Sequence, residues 1–235
     1  MEDAATIFCA GHLFFMRRSC GRLLIAISVL LLSSFAFAQQ SQSAVITYSL
    51  DFPGSEPDHY FFSVASDGKA SYESTGKVTQ DSPADPYHDD FVLSDATRNR
   101  IFDLVKGAGY FAKPPDSSKK GIAFTGRKTL TYQEGSQNNR ADFDYSPSQS
   151  VRDLVHLFAS ISATLEFGRR LDFDYRYQKL ALDAELKSME GLQQEGDLAE
   201  LGAIRAVLQK IATDSSLVNV ARARAQRLLS SADAK

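Results

Sequence analysis

Residues 81–91, DSPADPYHDDF, put four aspartates and one histidine into eleven positions. That density suits a metal site or a carboxylate–imidazole acid/base pair, and spacing tests both. A calcium loop opened at Asp85 puts Tyr87 and Asp89 at its third and fifth positions. It then places Asp90 where the turn needs glycine and Ala96 where a bidentate glutamate belongs. Opening the loop at Asp81 is worse, with Pro83, Pro86 and Val92 in key places. Zinc finds one histidine here, His59 as the only other plausible imidazole, and no HExxH. Asp89 and Asp90 are adjacent, so in a strand they point to opposite faces. The stretch reads as a solvated loop of turn formers. Asp85, His88 and Asp89 stand as the alternative, a metal-assisted or carboxylate/His site of a hydrolase.

Other catalytic patterns fail on context. Gly121 to Thr129 (GIAFTGRKT) nearly spells a P-loop, but Arg127 separates Gly126 from Lys128, and LTYQ after it reads as a strand where a helix is required. S-x-x-K occurs at Ser66/Lys69, Ser74/Lys77 and Ser117/Lys120, never opening a hydrophobic helix and with no S-D-N or K-T-G. There is no G-x-S-x-G, and His156 falls off the apolar stripe of its helix. No cofactor is called for. The stretch Phe167 to Lys179 (FGRRLDFDYRYQK) mixes aromatics with arginines. Phe173, Tyr175, Arg176 and Tyr177 make it the candidate binding surface for a protein or glycan, since such residues anchor interfaces. The competing role for its aromatics is to cover a junction within the chain.

The N-terminus sets the expected compartment. Arg17, Arg18 and Arg22 precede the apolar run Leu23–Phe37, which ends in Ala36-Phe37-Ala38. A basic segment, an apolar segment and an A-x-A site describe a secretory signal peptide, and the run is short for a membrane span, which takes roughly 20 apolar residues. Cleavage after Ala38 is expected, with Met16 a tidier start than Met1 and no stable membrane anchor afterwards. Cys9 and Cys20 both precede that site, leaving a mature chain without cysteine. Losing three arginines and two acidic residues takes the net charge from −3 to −4, which disfavours nucleic acid as a partner. A periplasmic or secreted protein follows, a non-enzymatic binding module in preference to an enzyme.

Positioning elements can be read behind these residues. After a linker at 39–44, Val45–Phe52, Tyr60–Ala65 and Ala70–Ser74 read as strands, the last two joined by Ser66-Asp67-Gly68-Lys69. Residues 76–90 lack periodicity. Ser94 caps a helix from Asp95, with Ile101, Leu104, Val105 and Ala108 as its apolar stripe. Lys128–Gln133 and Arg140–Tyr145 form a second hairpin, and a helix striped by Val151, Leu154, Val155, Phe158, Ile161 and Leu165 ends at Gly168. Beyond 169 the pattern is helical, broken at Gly191–Gly196 and Thr213–Ser216, with Asp197 and Glu200 fitting a capping pattern. Arg222, Arg224 and Arg227 make a basic, solvated face. The expected fold class is α+β: a small antiparallel sheet from two hairpins with two packed helices at 45–168, then an α-hairpin extension at 169–232.

Pro57-x-x-Tyr60, the Asp67-Gly68-x-x-x-Tyr72 hairpin, Leu93-Ser94, and Ala108-x-Tyr110-Phe111 resemble a group of uncharacterised bacterial exported domains with the order β-hairpin, helix, β-hairpin, helix. The resemblance covers residues 45–167. Members tend to carry Cys-Pro before the tyrosine, where this chain has Glu56-Pro57-Asp58-His59-Tyr60. The group implies fold and compartment and brings no activity with it.

Overall fold

The structure is a computed structural model that describes residues 43–79, 81–113, 121 and 123–233. The expected leader and its cleavage site lie outside these residues, as does the Ser117/Lys120 pair. Alternating sequences build β1 (Val45–Asp51), β2 (His59–Ala65) and β3 (Lys69–Lys77). In each, alternate side chains turn inward, with Ile46, Tyr48, Tyr60, Phe62, Val64, Ala70, Tyr72 and Ser74 buried. Gly68 takes the positive φ that the β2–β3 turn requires, and Asp67 Oδ1 accepts from the Lys69 amide. β5 (Arg127–Glu134) and β6 (Gln137–Phe143) form the second hairpin. β5 pairs with β1, so all strands join one antiparallel sheet in the order β4-β3-β2-β1-β5-β6.

The acidic stretch is where the structure departs most from the sequence reading. Ala84–Val92 is β4, a nine-residue strand paired with β3 along its length. Its composition hid it. An edge strand meets one neighbour and water, so it tolerates Pro86 and carries charges that discourage pairing with other chains.

Helix α1 (Asp95–Gly107) starts where Ser94 accepts a hydrogen bond from the Thr97 amide, and it buries Ile101, Leu104 and Val105. Helix α2 spans Gln149–Tyr177, 29 residues, and lies across one face of the sheet. Phe158 stacks on Tyr48 at 5.0 Å and packs on Phe62 at 5.2 Å. Gly168 does not end this helix. It sits mid-helix because Ile204 packs directly on it. The boundary expected at 168 therefore falls inside a continuous helix, and the described residues form one compact unit.

α3 (Leu182–Glu195) ends on Gly196 in the left-handed conformation. α4 (Arg205–Thr213) and α5 (Asn219–Asp233) follow a 3₁₀ turn at Leu201–Ile204. Asp197 and Glu200 do not cap a helix of their own. Asp197 pairs with His156 at 3.2 Å. Glu200 crosses to Ser94, accepting from its amide and its hydroxyl at 3.0 Å each, and so fastens the C-terminal helices to the start of α1. Nor is the basic face of α5 wholly solvated. Arg224 pairs with Asp183 at 2.8 Å and with Glu190, and Arg227 reaches Glu190 at 2.7 Å, clamping α5 to α3. Among the described residues, no helix is long and apolar enough to cross a membrane.

Candidate binding face

The sheet has two unlike faces. Toward α2 it presents Ile46, Tyr48, Tyr60, Phe62, Val64 and Tyr72, all buried. The alternate residues face away from the helices. They include Thr47, Ser49 and Asp51 on β1, His59, Phe61 and Ser63 on β2, Thr129 and Thr131 on β5, and Arg140 and Asp142 on β6. Part of this open face forms a groove of about 730 Å³ running over β1, β5 and β6, with Phe61 in its wall.

The polar groups there are already organised. Arg140 grips Asp142 with two hydrogen bonds of 2.8 Å, and Thr129 donates to the same carboxylate at 2.7 Å. Thr47 and Thr131 hydroxyls meet at 2.6 Å across β1 and β5, and His59 lies 2.6 Å from Asp51 at the end of the groove. Arg127, paired in register with Asp51, makes no side-chain hydrogen bond or ion pair among the described residues. Hydrogen bonds from Arg140, then Thr129, hold the Asp142 carboxyl down at about 2. Its folded value lies below the unfolded one of about 3.9, so its contribution to stability is present above about pH 4 and fades toward pH 2. Thermal melts should show Asp142→Asn slightly below wild type at neutral pH. That gap should narrow on acidification from pH 4 to pH 2, and it stays small because the pair is half-exposed.

β4 divides the alternative acid/base set. Asp85, Tyr87 and Asp89 pair with Gly76, Ser74 and Tyr72 on the helix side, whereas His88 pairs with Glu73 on the open side. The carboxylates nearest His88 are Asp90 at 3.3 Å and Glu73 at 3.6 Å. Asp85, His88 and Asp89 thus do not converge. Burial, with Asp90 adding to it, raises the Asp89 carboxyl. No three His, Cys, Asp or Glu side chains among the described residues come together as a metal site. The P-loop-like stretch leads into β5 as its sequence suggests. Lys128 Nζ is bound to the carbonyls of Thr125, Gly126 and Asp144 at 2.7–3.2 Å, leaving it unfit to hold a phosphate.

A serine–histidine–aspartate chain does occur, at Ser160, His156 and Asp197, with links of 3.3 and 3.2 Å. It lacks what hydrolysis needs. Ser160 is 5% exposed and donates to the His156 carbonyl one turn earlier. Mid-helix amides are engaged with the preceding turn, so none is free to form an oxyanion hole.

The aromatic–arginine surface is only partly outward. Tyr175 donates to Asp214 at 3.1 Å and packs against the core, joining α2 to the α4–α5 turn. Arg176 pairs with Asp172, one turn back on the same helix. Phe173 is half-buried with its ring 5.1 Å from Tyr177, and Tyr177 is 72% exposed.

Beneath the sheet, Glu166 of α2 is buried and accepts from Ser74 at 2.6 Å and Tyr72 at 2.9 Å. Arg169 lies 3.7 Å away, packs over the Tyr87 ring at 5.1 Å, and donates to the Asp85 carbonyl. The cluster fixes α2 to β3 and β4, and its Ser74 and Tyr87 also line a pocket of about 360 Å³ shared with His59, Glu73 and His88.

No protein-family model matches the chain, and no curated protein is similar to it. The sequence reading missed Phe61, although a signal was present. In HYFFSVA, the alternation that buries Tyr60, Phe62 and Val64 leaves a phenylalanine on the polar side.

Proposed function

We propose that this protein is an exported, non-enzymatic binding module whose ligand sits on the open face of the sheet. The basic, apolar and Ala36-Phe37-Ala38 segments of the leader support export. The observation that carries the binding role is the contrast between the faces. One is sealed by α2, and the other offers a solvent-open groove of fixed hydroxyls and ion pairs around Phe61. Held by Arg140 and Thr129, the Asp142 carboxylate suits a fixed hydrogen-bond acceptor for a bound ligand.

Two measurements test this. Expressed with its leader in a bacterial host, the protein should be recovered outside the cytoplasm beginning at Gln39. Immobilised protein should then retain material from an envelope extract. That retention should vanish in Ser49→Lys/Thr129→Lys, which crowds the groove, and persist in Tyr177→Lys/Leu180→Lys at the end of α2. The opposite pattern would return the binding surface to Phe173 and Tyr177.

A further inference from the structure

Resting on that reading, we infer that the groove takes a neutral, hydroxyl-rich ligand, that is, a carbohydrate chain. A protein partner of ordinary size needs an apolar centre depleted in charge. This groove has the reverse: Phe61 and the edge of Phe143 are its only large apolar side chains, set among threonines, a serine, two arginines and three aspartates. An anionic polymer needs a surplus of cations, but Arg127 and Arg140 are outnumbered by Asp51, Asp142 and Asp144. A cationic ligand needs several free carboxylates, and of the three Asp142 is held by Arg140 and Asp51 lies against His59, which leaves Asp144.

What the groove does offer is hydrogen bonding at fixed positions. Held by Arg140 and Thr129, the Asp142 carboxylate keeps lone pairs for vicinal hydroxyls of a sugar ring. Arg127, whose charge also acts on Asp142, supplies donors that no side-chain hydrogen bond among the described residues engages. Phe61, beside Ser49 in the β1–β2 register, gives a flat apolar surface for the ring's C–H face. Because these side chains are oriented before binding, little freedom is lost when the ligand arrives. The volume falls within the range of roughly 300–1,000 Å³ typical of small-ligand sites, and its open form suits a segment of a chain.

The test is a ¹⁵N–¹H spectral titration of the purified protein. The probes are cellohexaose, xylohexaose, mannohexaose and chitohexaose, with oligogalacturonate as the anionic arm. At least one neutral oligosaccharide should shift amides of β1, β2 and β5 saturably below about 10 mM, a weak affinity for a shallow site. Phe61→Ala and Asp142→Asn, each confirmed folded by circular dichroism, should weaken it about tenfold or more. Four silent neutral probes, shifts confined to other elements, or a response to oligogalacturonate alone would overturn the ligand class. Selective loss of envelope capture in Ser49→Lys/Thr129→Lys would still uphold the face as the binding surface, so the two readings fail separately.

Discussion

Glu166→Ala is expected to lower the unfolding free energy by about 3–5 kcal/mol, the usual cost of removing one partner from a buried ion pair. Glu166 and Arg169 side chains are 4% and 9% exposed, so neither charge can turn to water. The substitution strands two groups at once. Tyr72 keeps Ser162 as a partner at 2.8 Å, but Ser74 loses its acceptor and Arg169 its counter-charge. One guanidinium nitrogen of Arg169, Nη1, already has no hydrogen-bond partner, so this residue has little reserve. Arg169→Met should cost less, since Glu166 retains two hydroxyl donors. In Glu166→Ala/Arg169→Met the penalties should be markedly less than additive, because removing both members leaves no stranded charge. Urea denaturation of the three variants checks the ranking. In thermal melts Glu166→Ala should fall by roughly 6–20 °C.

Gly168→Ala is expected to destabilise the protein by about 1–3 kcal/mol, as overpacking does. At an ordinary helix-interior site the same change gains about 1 kcal/mol through helix propensity. The sign reverses because a Cβ at 168 would overlap Ile204 Cγ2 and come within 3.1 Å of Ile204 Cβ. Ile204 is buried at the 3₁₀ turn before α4, so the strain falls on the seam between α2 and the C-terminal helices. Ile204→Ala in the Gly168→Ala background should recover part of the loss, although Ile204→Ala alone destabilises. Denaturation midpoints of the two single variants and the double would show this. Additive losses would mean that the two residues do not meet.

These sites also mark where the sequence stopped being readable. β1, β2, β3 and the β5–β6 hairpin could be read because alternation and Asp67-Gly68 are local signals. The start of α1 was legible for the same reason, in Ser94. Gly168 was misread because glycine usually marks a helix end, and only a residue 36 positions later explains it here. Glu200 resembled a local cap, yet its partner Ser94 lies 106 positions away. β4 was hidden because an edge strand does not need the composition of a central one. As for the candidate site, its residues were visible one by one as the polar half of each strand. Their assembly into a groove depended on the β1–β5 pairing, which no local pattern announces.

That pairing also sets a timetable. β1 is made first, yet it ends at the middle of the sheet, with β2 on one side and β5 on the other. Its second neighbour starts at Arg127, so while the intervening chain is being made one flank of β1 has nothing to bond with. Closing so long a loop is slow. A nascent chain halted between β4 and β5 would carry an open seam along Tyr48 and Leu50. Such an intermediate is the form most in need of a chaperone, long before any ligand is met.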